Sequence, residues 1–213
     1  MSEEEKVHLG LKLVDDDDYL KALNVFSELV YEFPSNPDYM STCLFLLDRI
    51  VEANHDFEPE TAEQYHFRGL SKFYKEEYHE SIADFDRAIK LKPRMDYALK
   101  CKAFSLMYLG ECRLAIECLL NAVKLNPAGE YFDDLAENYF RLDEKETALL
   151  YHEKAIQYSP NNERLWHNYG AHLGKMGQYE KAIEMFDKAI VINPNYDDAI
   201  GKRIYCIERK KIE

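Results

Sequence analysis

The sequence has few of the glycines and prolines that interrupt helices, and it lacks the closely spaced cysteines that form disulfides in small secreted proteins. It holds 8 glycines and 7 prolines in 213 residues, and its 5 cysteines form no CxxC pair. No hydrophobic run approaches the length of a membrane span, and the start, MSEEEKVHLG, is acidic where a secretory signal is basic. These absences argue against a disulfide-rich secreted protein and a membrane-spanning protein. They favour a helical, cytoplasmic protein with reduced, buried cysteines.

Positive charge is also scarce. The chain has 27 Lys and Arg against 40 Asp and Glu, a formal net charge of −13. A general nucleic-acid binder needs a basic surface that displaces counterions from phosphates, so the composition argues against that function. Residues 1–60 alone hold 15 acidic and 4 basic residues, whereas the C-terminal stretch is basic. Solvated helix faces and a charged docking surface both fit this asymmetry.

What the chain does contain is one pattern that recurs five times. The 18-residue windows 17–34, 76–93, 110–127, 143–160 and 177–194 align without gaps, and each ends in proline. The last three intervals between these prolines are 34, 33 and 34 residues. A fixed period of this length is the signature of a repeat protein.

The pattern inside each window is helical. In the last window, small residues at the sixth and thirteenth positions, Ala182 and Ala189, flank the bulky Phe186 at the tenth. Seven residues are about two turns, so the two small residues share a face. Another small residue stands seven positions before each window. We therefore predict two helices per unit, with a loop at the proline, and stacking of successive pairs to bury their apolar faces.

These residues carry a resemblance to a known family. The matching positions in the last unit are Trp166, Tyr169, Gly170, Leu173, Tyr179, Ala182, Phe186, Ala189 and Pro194. At these spacings they resemble the tetratricopeptide repeat (TPR) signature, in five copies. The resemblance implies an all-α, right-handed superhelical solenoid of antiparallel helix pairs. It also implies a concave groove, lined by the first helix of each pair, that usually holds a peptide or helix of a partner protein.

Two segments depart from the repeat. Residues 37–61 have room for one amphipathic helix but not for a pair, so we expect a truncated unit or an unpaired helix there, and a domain boundary. Residues 197–213 predict a capping helix with Ile200, Ile204 and Ile207 on one side. The expected units are 1–36, 37–61, 62–95, 96–128, 129–162, 163–196 and 197–213.

The remaining motifs favour structure over chemistry. The run Asp15–Asp18 lacks the spacing, the glycine and the distal glutamate of a calcium loop, so we interpret it as a cap for the next helix. The seven histidines form no HExxH motif and no zinc spacing with cysteine, and no nucleophile–base motif is present. The sequence therefore predicts no enzyme activity, no catalytic residue, no metal ion and no cofactor.

The family resemblance also places particular side chains in the groove. The candidate partner-binding residues are His66, Phe67, Leu70, Tyr74, Tyr97, Lys100, Phe104, Tyr108, Asp133, Asp134, Glu137, Arg141, Arg164, His167, Asn168 and Lys202. This groove would run from aromatic to acidic to mildly basic. Its aromatic residues fit a packed core as well as a binding surface, and both interpretations stay open.

One binding mode known in the family is not supported. TPR co-chaperones that grip a C-terminal carboxylate share a clamp of Lys, Asn and Arg residues. Asn168 and Lys202 match it, but Asp133 and Glu137 stand where Lys and Asn should. We expect instead a non-catalytic adaptor or scaffold whose groove binds a partner protein or peptide, apolar with basic residues. The alternative is a self-assembling structural protein that forms homo-oligomers through its terminal units.

Overall fold

The computed structural model describes residues 1–33, 36–53 and 58–211, which form twelve α-helices. The chain divides into two compact units, Met1–Leu109 and Gly110–Glu213. The expected all-α helical repeat is confirmed. The helices are α1 (Glu3–Asp15), α2 (Tyr19–Glu32), α3 (Pro37–Ala53), α4 (Ala62–Tyr74), α5 (Tyr78–Leu91), α6 (Asp96–Tyr108), α7 (Cys112–Leu125), α8 (Gly129–Arg141), α9 (Lys145–Tyr158), α10 (Glu163–Lys175), α11 (Tyr179–Ile192) and α12 (Asp197–Lys210).

Helix lengths follow the sequence period. Each 18-residue window contains one helix of 14 residues (α2, α5, α7, α9 and α11), which begins at the third residue of the window. The helix before each window (α1, α4, α6, α8 and α10) has 13 residues. Three residues join the two helices each time. The repeat is therefore present in the backbone as well as in the sequence.

The connecting turn uses one left-handed residue, always the first of the window. These residues are Asp17, Glu76, Gly110, Asp143 and Gly177, with φ between 59° and 80°. Glycine adopts this conformation freely, whereas other residues are disfavoured there by about 1–2 kcal/mol. The next residue caps the second helix in the first pair, because the Asp18 side chain accepts a hydrogen bond from the Lys21 N–H. The interpretation of the aspartate run as a helix cap is confirmed at Asp18.

Glycine on the first helix of a pair allows the second helix to approach closely. A Cβ atom on Gly69 would lie 2.7 Å from a ring carbon of Phe85. The corresponding distance is 2.6 Å between Gly10 and Phe26, and 2.9 Å between Gly170 and Phe186. Ring and Cβ cannot share that space, so these phenylalanines fill the room that the missing side chain leaves.

The single helix predicted within residues 37–61 is present as α3 and belongs to the core of the first unit. Its Leu46 and Leu47 are buried with Leu23 of α2 and Phe67 of α4. Residues 54–57 of the expected truncated unit lie outside the described residues. The molecule divides between α6 and α7 rather than at this segment.

The last helix packs through small residues. Ala199 and Cys206 of α12 are buried, whereas Ile204 is 49% exposed. The isoleucine stripe seen in the sequence is therefore not the packed face at Ile204. A Cβ on Gly174 of α10 would lie 3.4 Å from Cys206 Sγ, an ordinary contact distance, so the two helices approach closely at this glycine.

The cysteines are free thiols, as predicted. Cys101 is partly buried and the rest are buried: Cys43, Cys112, Cys118 and Cys206. Burial raises the pKa of the Cys43 thiol to about 12, which makes it an unreactive core side chain. In the part of the chain that the structure describes, none of the helices has the length and apolar character needed to cross a bilayer.

Candidate protein-binding surface

The first unit carries half of the predicted groove residues, on α4 and α6, and they differ in exposure. His66, Phe67 and Leu70 are buried, so they cannot offer surface to a partner. Tyr74 and Tyr108 are 66% and 57% exposed. The remaining three are partly buried: Tyr97, Lys100 and Phe104. The three buried residues are therefore part of the core, and the other five are exposed enough to contact a partner.

His66 is a structural side chain. Its ring lies 5.6 Å from the ring of Phe85 and 5.0 Å from that of Tyr97, and its Nδ1 atom has no hydrogen-bond partner. Burial lowers the pKa of His66 to about 3, because the charged ring would lose its hydration without gaining a partner. His66 is therefore neutral at physiological pH.

Four aromatic rings in the first unit form what we call the tyrosine surface: Phe73, Tyr74, Tyr78 and Tyr108. Tyr78 and Tyr108 stack with their ring centroids 5.2 Å apart. Phe73 contacts the other three rings edge-on, at centroid distances between 5.5 and 5.7 Å. Phe73 and Tyr78 were not among the predicted site residues. Their contacts fix the exposed Tyr74 and Tyr108 in place.

The same side of α6 continues toward its start with a cation and two more rings. Lys100 Nζ lies 5.4 Å from the ring centroid of Phe104, a cation–π contact. Tyr97, Lys100, Phe104 and Tyr108 follow one another at helical spacing of three or four residues. This part of α6 thus presents a continuous row of partly exposed side chains.

A shallow cleft of 480 Å³ opens elsewhere in the first unit. It is lined by Glu3, Glu4, Val7, His8, Leu11 and Tyr39. The Tyr39 hydroxyl donates a hydrogen bond to Glu3 Oε1 at 2.6 Å, and Leu11 is exposed. Acidic and apolar groups therefore lie side by side where α1 faces α3.

The second unit carries the other eight predicted residues, on α8, α10 and α12. The structure brings Asp133 of α8 together with Asn168 of α10, whose Nδ2 donates to Asp133 Oδ2 at 2.7 Å. Arg164 Nη1 lies 3.6 Å from the same oxygen. Asp133 and Asp134 are only 4% and 7% exposed. These acids lie inside the unit rather than on its surface.

Two histidines that the sequence interpretation left aside complete a buried polar chain. His152 of α9 and His172 of α10 are joined by a 2.7 Å hydrogen bond from Nε2 to Nδ1. His172 Nε2 lies 3.0 Å from Glu137 Oε2, and His152 Nδ1 lies 3.1 Å from Asp133 Oδ1. We call these four side chains the histidine chain. One sequence signal pointed to it: His152 takes the bulky tenth window position, which is Phe or Leu in the other windows.

Aromatic rings and a cation pack around the histidine chain. Phe140 stacks on His172 at 3.9 Å, and Tyr169 stacks on His152 at 5.2 Å. The hydrogen bond from His172, followed by the one from Arg141, lowers the pKa of Glu137 to about 2. Burial lowers the pKa of His172. Glu137 is thus a carboxylate occupied by its own unit.

The exposed residues among the remaining predictions for the second unit are basic rather than acidic. Arg141, Arg164 and Lys202 are exposed, whereas the acids of α8 are engaged internally. His167 of α10 lies 2.9 Å from Asp198 Oδ2 of α12 and packs against Tyr196. Asp133 and Asp134 of the acidic stretch expected in the groove are therefore buried, whereas Glu137 is partly exposed.

No cluster with the makings of a metal site is found among the described residues. No three His, Cys, Asp or Glu side chains in that part of the chain converge as ligands. In the histidine chain, three of the four ring nitrogens are within 3.0 Å of a partner in the same chain. What the arrangement offers chemically is hydrogen bonding within the unit.

Comparison with known proteins agrees with the helix pattern. The description "Tetratricopeptide repeat" matches residues 62–95 and 164–196. The human mitochondrial import receptor subunit TOM70 is 28% identical over 143 residues, which cover 66% of this chain and 19% of that protein. A TPR repeat-containing protein of Methanocaldococcus jannaschii is 23% identical, over 89% of this chain and 37% of its own.

A solved structure shows the same fold. The crystal structure of MamA protein superimposes with a TM-score of 0.60 at 27% identity, over 71% of this chain and 84% of that one. The chain spans only 19% and 37% of the length of the two curated relatives. The repeated sequence, the twelve described helices and these matches agree: the chain contains tetratricopeptide repeats, at residues 62–95 and 164–196, within an all-α helical repeat.

Proposed function

We propose that this tetratricopeptide repeat protein is a non-catalytic protein–protein interaction adaptor that holds a peptide or helix of a partner protein. Its fold and its likeness to a protein named as an import receptor subunit support an interaction role. The free cysteines, four of them buried and Cys101 partly buried, suit a cytoplasmic location. The observation that carries the proposal is the tyrosine surface.

The tyrosine surface has the properties of a contact site. Tyr74 and Tyr108 leave more than half of their area in water, although aromatic side chains gain most from burial. The stacking of Tyr108 on Tyr78 holds its ring in place before any partner arrives. A partner would thus bury area without much loss of side-chain freedom, which favours binding. Tyrosine is also enriched at binding hot spots.

We propose a partner segment that is apolar and carries basic residues. Tyrosine faces attract cations, and apolar side chains fit between the rings. The cleft beside α1 repeats this combination, with Glu3 and Glu4 next to Val7 and Leu11. The buried acids of α8 do not contribute to this preference, because Asp133 and Glu137 already have partners in their own unit.

The test compares two exposed tyrosine sites. The immobilised chain is used to retain proteins from native extract, and the bound proteins are quantified for wild type and for the double variant Tyr74→Ala/Tyr108→Ala. Tyr205→Ala on α12, where the tyrosine is 48% exposed, is the matched control. We expect a specific partner whose retention falls at least about tenfold in the double variant, the effect of one hot spot, and stays unchanged in the control. Equal retention by all three proteins would reject the proposal.

Self-assembly is the second candidate, supported by the charges at the two ends. The cleft beside α1 is acidic, and α12 ends in Arg209 and Lys210 beside the exposed Ile204 and Tyr205. Contacts between unlike surfaces of two copies build rings or filaments. Light scattering at two concentrations decides between the candidates, since only self-assembly makes the mass rise with concentration.

A further inference from the structure

Glu76 lies beside the tyrosine surface and is fixed there by its backbone. It stands between Tyr74 and Tyr78, in the turn that joins α4 to α5. Its N–H donates to the Phe73 carbonyl oxygen at 3.0 Å, and its own carbonyl oxygen accepts from the Tyr78 N–H at 3.0 Å. Burial, followed by the charge of Glu76, raises the pKa of the Tyr78 hydroxyl. An exposed carboxylate therefore lies next to the aromatic rings.

The backbone of Glu76 has a conformation that favours glycine. Its φ is 62°, and the same turn position is occupied by glycine in two other pairs, at Gly110 and Gly177. A glutamate is disfavoured in this region because its Cβ crowds the backbone. Non-glycine residues kept in such conformations cluster at binding and catalytic sites. The glutamate at this position is therefore not explained by the turn itself.

The other two acidic residues at this turn position have partners in their own helix pair. Asp17 accepts a hydrogen bond from the Tyr19 hydroxyl, and Asp143 Oδ1 lies 2.8 Å from Lys145 Nζ. Within the part of the chain that the structure describes, the Glu76 side chain has neither a hydrogen bond nor an ion pair. The three acids thus share a backbone conformation, but only Glu76 presents its carboxylate to solvent without a partner.

The lysines nearest to Glu76 in sequence already have acidic partners. Lys72 Nζ lies 2.7 Å from Asp84 Oδ2, and Lys75 Nζ lies 3.3 Å from Asp48 Oδ1. These pairs leave the Glu76 carboxylate open to a cation of a partner protein. Charge complementarity therefore favours a basic group of the partner at this place.

We propose that Glu76 and the tyrosine surface form a binding site for an arginine side chain of the partner protein, a proposal that rests on the adaptor function above. The guanidinium pairs with the Glu76 carboxylate, and the arginine side chain lies across the exposed rings of Tyr74 and Tyr108. A guanidinium is planar, stacks on aromatic rings and offers two parallel N–H groups to one carboxylate. A lysine ammonium is a strongly hydrated point charge without this geometry, so the site prefers arginine.

The rings are placed to receive such a side chain. Tyr78 stacks on one face of Tyr108, with an angle of 8° between the rings, and more than half of Tyr108 is still exposed. The opposite face is therefore open to a partner. Phe73 contacts Tyr74 edge-on and leaves 66% of it exposed. Because contacts within the unit already hold these rings, binding costs little side-chain freedom.

The test uses three probes that differ at the end of the side chain: N-acetyl-L-arginine amide, N-acetyl-L-lysine amide and the neutral N-acetyl-L-citrulline amide. Each is titrated into the full chain with 13C-labelled tyrosine rings. We expect arginine to shift the ring signals of Tyr74, Tyr78 and Tyr108 in a saturable way. Lysine should bind at least about threefold more weakly, and citrulline should give no saturable shift. Tyr205 of α12 is the internal control, and equal responses to the three probes would overturn the proposal.

Three variants separate the charge of Glu76 from the fold of the turn. Glu76→Gln and Glu76→Gly should each weaken binding of the arginine amide at least about threefold, because both remove the carboxylate. Glu77→Gln removes the same charge one residue further on and should leave binding unchanged. Glu76→Gly should resist urea at least as well as wild type, since glycine suits the positive φ, so its loss of binding is not a loss of folding. Unchanged affinity in both Glu76 variants would overturn the proposal.

The arginine site and the adaptor function can fail separately. In the retention experiment with native extract, Glu76→Gln should lower the amount of bound partner at least about threefold, in the same direction as Tyr74→Ala/Tyr108→Ala. Retention that is lost in the tyrosine variant but unchanged in Glu76→Gln would overturn the arginine site and leave the adaptor function standing. Retention that is unchanged in both would reject the adaptor function and, with it, a partner arginine at this site.

Discussion

The pairs α4–α5 and α8–α9 have the same helix lengths and different chemistry at the same repeat positions. In α4–α5 the close contact joins Gly69 and Phe85, and in α8–α9 the corresponding residues are Ala136 and His152. Beside this contact stands His66 in the first pair and Asp133 in the second. One backbone arrangement thus accepts an apolar core or a polar chain, if the side chains change together.

The small residue and the ring change together along the whole chain. Glycine accompanies phenylalanine and alanine accompanies a smaller side chain, in the pairs Gly10/Phe26, Gly69/Phe85, Gly170/Phe186, Ala103/Leu119 and Ala136/His152. A phenyl ring leaves no space for a methyl group on the first helix. The ring on the second helix therefore determines which residue the first helix can carry.

The two pairs also surround their buried histidines with different groups. His66 lies among rings with an unpartnered nitrogen, whereas His152 lies 3.1 Å from a carboxylate. Burial alone makes the charged form unfavourable, and a nearby carboxylate makes it favourable. The first pair should therefore exclude protons from His66.

The largest effect is expected from removing the ring in the first pair. Phe85→Ala empties a fully buried site on α5 and should lower the free energy of unfolding by about 4 kcal/mol. Leu91→Ala on the same helix is the control, since Leu91 is exposed and its truncation should change stability by less than about 0.5 kcal/mol. Urea unfolding measures both. Similar losses in the two variants would show that the ring does not hold the pair together.

The next effect concerns the glycine opposite that ring. Gly69→Ala places a methyl group against Phe85 and should lower the free energy of unfolding by about 2 kcal/mol through overpacking. Gly201→Ala is the matched control in α12, where a Cβ meets nothing within 4 Å. There the better helix propensity of alanine should raise stability by up to about 1 kcal/mol. Thermal and urea unfolding should therefore change in opposite directions for the two variants.

The smallest effect is a pH dependence in the first pair. The folded pKa of His66, about 3, is below its unfolded value, so only the unfolded chain binds the proton near pH 6. Stability from this residue is fully present above pH 6.5 and is lost as pH falls. Between pH 6.5 and pH 5.5 wild type should lose about 1 kcal/mol relative to His66→Leu. Equal pH dependence of both proteins would mean that His66 is accessible to protons.

Much of the fold could be predicted because its signals are local. The period placed the second helix of each pair, and the aspartate run capped α2 at Asp18. Small residues seven positions before each window indicated close packing, which Gly69 and Phe85 show. These features depend on residues near one another in sequence or on a regular spacing.

The candidate site was less predictable because its contacts cross helices. His152 and His172 belong to different helices, and no motif spacing joins them. The family resemblance assigns Asp133 and Asp134 to the groove. In the structure Asp133 instead contacts Asn168 and His152 inside the unit. The packed face of α12 was also hard to predict, because it is formed by small residues whereas the large Ile204 is exposed.

One double-mutant cycle tests most directly the claim that ring size on one helix dictates the residue on its neighbour. Gly69→Ala is measured by urea unfolding in wild type and in Phe85→Leu, a combination that Ala103 and Leu119 already use elsewhere in the chain. We predict a loss of about 2 kcal/mol in wild type, a loss below about 0.5 kcal/mol beside leucine, and thus a coupling above about 1 kcal/mol. Equal losses in the two backgrounds would contradict the account.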